Sequence, residues 1–173
     1  MTKNKKILIT AILLASEIIL GRFLAIRTPI LTISFSFVPL ILIAIILGPK
    51  YAILNGILSD LIGALLFPTG PYFIGYTISN ALSGLIYGLF LYQKEFKLDK
   101  KFIIKLIISV FIVNFIINAL LNTYWLLITT NKAINFLAPI RFIKQLIMLP
   151  IKVITIIFIT KQFKKQIEEL KNA

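Results

Sequence analysis

The apolar residues of this chain fall in blocks about as long as a membrane is thick, and no other feature constrains the fold as strongly. The blocks cover residues 7–24, 32–47, 51–67, 72–91, 102–129 and 142–160, and short polar connections separate them. A helix needs roughly 20 apolar residues to cross the hydrocarbon core, where it must satisfy its own backbone hydrogen bonds. The expected fold is an all-α integral membrane protein of six transmembrane helices, with residues 1–173 forming a single domain. Only 14% of the residues are charged and 59% are hydrophobic, too little charge to cover a soluble domain of this length. Gly48-Pro49-Lys50 divides blocks two and three, and Pro68-Thr69-Gly70-Pro71 divides blocks three and four. Gly and Pro stop a helix and permit a tight reversal. Pro150, inside block six, predicts a kink. Lys3, Lys5 and Lys6 before an apolar run imitate a signal peptide. The run continues past Ile18 with no Ala-x-Ala site, so it reads as an uncleaved first span.

Six crossings put both termini on one side. Lys3, Lys5, Lys6, Lys50, Lys94, Lys97, Lys100, Lys101, Lys105, Lys161, Lys164, Lys165 and Lys171 all fall on that side, and they are 13 of the 19 basic residues. Basic residues collect on the cytoplasmic face, so both termini are expected in the cytoplasm and the chain in the cell membrane. The net charge of +13 does not point to nucleic acid, because the lysines flank spans and form no single basic face. The chain has no cysteine and no histidine, which removes thiol chemistry and the commonest metal ligand and general base. It has no Gly-x4-Gly-Lys-Ser/Thr loop, metal-ligand cluster or catalytic triad. No enzyme, cofactor, metal site or catalytic residue is expected, and energy for uphill transport would come from partners or an ion gradient.

The three arginines depart from the lysine pattern. Arg22, Arg27 and Arg141, with Lys132 and Lys144, belong to the side opposite the termini. Arginine offers a planar fork of donors that matches a carboxylate, so an anion receptor is one reading. Lipid headgroups or a loop ion pair are the other. Within the spans lie Glu17, Asp60, Lys144 and Lys152. Each such charge costs roughly 2.5–3.5 kcal/mol to insert, so it must face a partner or a cavity. Pairing of Asp60 with Arg22 and of Glu17 with Lys152 would satisfy them internally.

Helical spacing sorts the remaining polar groups. Arg141, Lys144, Gln145, Met148 and Lys152 share one face of block six. Asn114, Asn118, Asn122 and Trp125 share one face of block five, and Tyr72, Tyr76 and Asn80 one face of block four. Asparagines also glue helices together, the better reading for Asn55 and Asn114. Phe35, Phe37, Tyr72, Phe73, Tyr76, Tyr124 and Trp125 converge on the arginine side. Interface anchoring explains aromatics at span ends, but aromatic walls below a cationic mouth also suit a flat heterocycle bearing carboxylates. The alternation Thr32-Ile33-Ser34-Phe35-Ser36-Phe37, between Pro29 and Pro39, suggests an extended start to block two. Ala11 and Ala15 form a small-xxx-small pair that lets another helix approach, from the same bundle or from another subunit.

Two stretches carry a family resemblance. Arg22-Phe23-Leu24-Ala25-Ile26-Arg27-Thr28-Pro29 followed by Ile33-Ser34-Phe35-Ser36-Phe37-Val38-Pro39 is one. The other is Ser59-Asp60-Leu61-Ile62-Gly63-Ala64-Leu65-Leu66-Phe67-Pro68-Thr69-Gly70-Pro71-Tyr72-Phe73, continued by Leu82-Ser83-Gly84-Leu85-Ile86-Tyr87-Gly88. They resemble the folate-type S component, the substrate-binding membrane subunit, of energy-coupling factor (ECF) importers. The first 90 residues or so match closely, the rest by length, topology and hydropathy. Ile74 stands where the family favours proline, and Ser59 where it has glycine before the helix-three aspartate.

The resemblance implies a six-helix bundle that binds folate from outside and docks to one transmembrane coupling protein and two ABC-type ATPases. It implies docking through Ala11 and Ala15, and gating by residues 25–34 and 67–72. Arg22, Arg27, Arg141 and Lys144 would then be cationic contacts, and Asp60 or Asn80 would read the donor-rich edge of the pterin. Phe35, Phe73, Tyr76 and Trp125 would sandwich the rings, with Ser36, Tyr72 and Tyr124 beside them. Another vitamin on the same scaffold (riboflavin, thiamine or a queuosine precursor) and a stand-alone small secondary carrier are the alternatives.

Overall fold

The computed structural model describes residues 1–27, 32–68, 70–130 and 134–172. Pro29, Thr69, Lys132 and part of each expected gating loop lie outside them. Helix α1 (Lys3–Ile18) continues as a π turn over Ile19–Phe23. Helices α2 (Phe37–Leu47), α3 (Pro49–Leu66) and α4 (Ile74–Leu91) follow. Helix α5 (Lys100–Ile112) passes through a π segment (Val113–Leu121) into α6 (Asn122–Thr130), and α7 (Ile134–Gln162) leads to α8 (Lys164–Asn172). The described residues are therefore overwhelmingly helical. Ile74–Leu91, Lys100–Thr129 and Ala138–Gln162 are long and apolar enough to cross a membrane.

Helix α2 is apolar on every side and correspondingly buried on every side. Ile41, Ile43, Ala44 and Ile45 have no exposure at all, and α1, α3, α4, α7 and α8 all pack around the helix. The broadest seam joins α3 to α4. It depends on Gly84, where a Cβ would stand 2.3 Å from the Ala52 carbonyl oxygen. Asp99 starts α5 by accepting the Phe102 amide at 2.7 Å, which satisfies one of the helix's free donors.

Three features differ from the sequence expectation. Helix α2 begins at Phe37 and not at residue 32. Thr32–Ile33 instead forms strand β2, antiparallel to β1 (Ile26–Arg27), with Arg27 opposite Thr32. The period-two alternation there belongs to the hairpin. The long apolar block between residues 102 and 129 is not uniformly α-helical, because Val113–Leu121 winds as π. The charged C-terminal segment forms α8. Ile167 anchors it in the core at 3% exposure, and Lys171 donates to the Gln93 carbonyl with its ammonium 4.5 Å from the centre of the Tyr92 ring.

Candidate functional site

A cavity of about 620 Å3 opens where α1 and α3 end and α4 begins. Ten of the thirteen residues singled out for substrate binding line it: Arg22, Arg27, Ser36, Asp60, Tyr72, Phe73, Tyr76, Asn80, Arg141 and Lys144. Arg22 sits in the π turn that ends α1. Its guanidinium lies 3.9 Å from the Asp60 carboxylate, both side chains being less than a fifth exposed. Gly63 supplies the room, since a Cβ there would stand 2.5 Å from Arg22 Nε. On its other side Asp60 accepts from Thr77 Oγ1 at 2.6 Å, and Thr77 bonds the Tyr72 hydroxyl at 2.9 Å. The expected Arg22–Asp60 pair is therefore present, and a hydroxyl chain extends it to the start of α4.

The β1–β2 hairpin is tied down by two of the cations. Arg27 donates to the Gly21 carbonyl, and Lys144 of α7 donates to the Thr32 carbonyl at 2.5 Å. Ser36 reaches the cavity and shares a 2.8 Å hydrogen bond with Ser34. Arg141 and Lys144, three residues apart on α7, open onto the same space, so four basic side chains surround this end. Carbonyl oxygens satisfy part of their donor capacity, and one carboxylate offsets part of their charge. An anion entering here meets more positive than negative charge.

Aromatic residues form one wall. Phe73 and Tyr76 meet edge to face at 6.2 Å. Trp125 stands behind Phe73, with ring centres 5.6 Å apart, and donates to Ser79 Oγ at 3.1 Å, so it buttresses the wall without lining the cavity. Tyr124 packs on Trp125 and is 55% exposed. Phe35 packs on Phe37 and is 50% exposed. These three stand off the cavity.

The floor holds two further charges, which do not pair as expected. Glu17, 7% exposed, accepts from Ser59 Oγ at 2.7 Å and from Asn55 Nδ2. Lys152, also 7% exposed, donates to Asn114 Oδ1 at 2.6 Å, and Asn114 Nδ2 donates to the Gln145 carbonyl at 3.2 Å. The reason is helix adjacency: α1 packs on α3, whereas α7 packs on the π segment that carries Asn114. Asn55 and Asn114 thus join helices, as their depth suggested. Glu17, Ser59, Asn118, Asn122, Gln145 and Lys152 line the cavity as well. Their signal was present in the face shared by Arg141, Lys144, Gln145 and Lys152 and in the asparagine series. Among the described residues no three Asp, Glu, His or Cys side chains gather as a metal site. The arrangement can hold a partly aromatic anion; it offers no nucleophile–base pair.

The family profile described as "ECF transporter, substrate-specific component" matches residues 5–163. The chain belongs to this family. Among relatives of this ECF component, the "Folate transporter FolT" of Clostridium novyi (strain NT) is 37% identical over 156 residues, covering 90% of this chain and 88% of that one. The "Folate transporter FolT" of Leuconostoc mesenteroides is 36% identical over 156 residues, covering 87% and 81% respectively. The solved "Crystal structure of FolT bound with folic acid" superposes with a TM-score of 0.79 at 36% identity, covering 89% of this chain and 90% of that one. The substrate-specific component of a transporter is a membrane protein that captures substrate, and the apolar helices described above fit that setting.

Proposed function

We propose that the chain is the folate-binding S component of an ECF importer in the cell membrane. In this reading residues 1–173 form one unit that spans the bilayer six times. The helices are α1, α2, α3, α4, the α5–π–α6 stretch and α7, and both termini are cytoplasmic. The lysine distribution supports that orientation. The observation that carries the ligand assignment is the cavity itself: four cations around its opening, an aromatic wall beside them and a carboxylate among them. Folate has the same parts, with carboxylates at one end and a flat pterin rich in donors at the other. The two relatives and the solved structure that are named for folate or folic acid support the choice among vitamins.

Arg22, Arg27, Arg141 and Lys144 supply the cationic contacts, at least one of them to a glutamate carboxylate. Asp60 or Asn80 reads the amino edge of the pterin, and Phe73 and Tyr76 pack on the rings, with Ser36 and Tyr72 beside them. Phe35, Tyr124 and Trp125 act from behind this layer. The chain performs no chemistry of its own. Energy comes from two ATPases acting through a transmembrane coupling protein, and Ala11 and Ala15, both exposed on α1, belong to the docking face.

The test is binding of folic acid, riboflavin and thiamine to the purified chain and to Arg141→Ala. Folic acid alone should bind, and the Ala variant should bind it at least tenfold more weakly, the scale of a lost charge-assisted hydrogen bond. Tighter binding of riboflavin or thiamine rejects folate, and an unchanged dissociation constant removes Arg141 from the site.

A further inference from the structure

Lys152 is the one cavity cation set at the floor, and the site described above leaves it without a task. On α7 it lies 11 residues beyond Arg141 on the same face, about 16 Å deeper at 1.5 Å per residue. Among the described residues no carboxylate lies within 4 Å of it. Its single hydrogen bond goes to Asn114 Oδ1, and the Phe37 ring centre lies 5.4 Å from its nitrogen. Asn114 is wholly buried, and its amide nitrogen is engaged by the Gln145 carbonyl, so its oxygen is the atom turned to Lys152. A lysine ammonium has three donors. One is used, the aromatic ring takes a second direction, and the nitrogen remains at the cavity wall. A held donor in a membrane interior calls for an acceptor from whatever fills the cavity.

On the folate reading, carboxylates at the cationic opening leave the pterin at the floor. A pterin has a donor edge, the 2-amino group and N3–H, and an acceptor edge, the 4-oxo oxygen with N5 beside it. We infer that Lys152 determines specificity by donating to the 4-oxo oxygen, so that the site selects 4-oxo pterins over 4-amino pterins. Replacing the oxo group by an amino group sets a donor against a donor, and a site built to hydrogen-bond one group rejects the analogue that lacks it. Asn114 is a positioning residue, acting through the ammonium it orients.

The experiment measures dissociation constants of folic acid and of aminopterin, its 4-amino analogue, for the purified wild-type chain, Lys152→Met and Lys152→Gln. Quenching of Trp125, the single tryptophan, reports binding. The wild type should favour folic acid by about tenfold or more. Lys152→Met, nearly the same in shape but without a donor, should weaken folic acid by a similar factor and leave aminopterin within about threefold, bringing the ratio close to one. Lys152→Gln keeps an amide donor at shorter reach and should give an intermediate ratio; it carries the test if the Met variant does not fold. Equal wild-type affinities, or a wild-type ratio retained in the variants, overturn the inference while leaving folate as the ligand. Failure of the wild type to bind either pterin, with another vitamin bound, overturns the folate assignment and this inference with it.

Discussion

Adding one methyl group at Gly63 should weaken ligand binding without harming the fold. A Cβ there would stand 2.5 Å from Arg22 Nε, 2.9 Å from Nη2 and 3.1 Å from Cζ, while ordinary contact begins at 3.4 Å. In Gly63→Ala the guanidinium must therefore retreat by about 0.9 Å. The displaced atoms are the tip of a flexible side chain, so the backbone need not move. An Ala in place of a helical Gly is itself favourable by up to ~1 kcal/mol. The Arg22–Asp60 pair, at 3.9 Å, already stands near the limit of an ion pair. With an effective dielectric of about 20, a retreat of this size away from a charge weakens the attraction by roughly 0.8 kcal/mol. A carboxylate of the ligand loses a comparable amount, so the folate dissociation constant should rise by a factor of about 3–10. Titration calorimetry and thermal unfolding on one detergent preparation read both quantities. A constant within twofold of wild type at an unchanged melting temperature refutes the argument. Weaker binding together with a clearly lower melting temperature refutes it in another way, by showing that the helix and not the arginine had shifted.

Two further outcomes follow from the cavity floor and from α1. Glu17→Leu leaves the fully buried Asn55 amide without its acceptor, while Ser59 Oγ keeps the Gly56 carbonyl at 3.2 Å. It should destabilise the protein by about 1–3 kcal/mol in thermal unfolding, and Glu17→Leu with Asn55→Leu should recover most of that loss; a single variant no worse than the double argues against the coupling. Ala15→Phe puts a bulky group on an exposed position of α1 far from the cavity lining. Co-purification with the coupling protein should fall sharply while folate affinity stays within about twofold; undiminished co-purification removes Ala15 from the docking face.

The parts of this protein that were legible in the sequence are those that depend on solvent. Apolar run length located the helices, and the Gly-Pro stops located the turn between α2 and α3, because lipid imposes both. The cationic opening was visible as arginines placed where topology has no use for them. What stayed hidden depends on which helix lies beside which. Glu17 and Lys152 have opposite charges and suitable depths, yet Asn55 and Ser59 claim one and Asn114 the other. Trp125 and Tyr124 lie near the right end of their helix, but the second rank of an aromatic wall looks like the first in sequence. Helix α8 was masked by its lysines, which read as topology markers, while a single apolar side chain, Ile167, anchors it. The π segment leaves no trace in composition. Asn118 and Asn122 are four apart in either winding, and only the coordinates show that they bond to each other at 3.1 Å.

The π turn at Ile19–Phe23 makes the length of this stretch matter as much as its composition. A π turn accommodates one residue more than the α-helix around it, so deleting a residue such as Ile19 would let the segment relax to regular winding. Everything beyond the deletion would then swing by about 100° around the axis, carrying Arg22 away from Asp60 with every pocket side chain still encoded. Among homologues, a gap or an insertion at this point is thus a change of ligand chemistry written without any substitution, and alignments that treat it as neutral slack would misassign what such relatives carry.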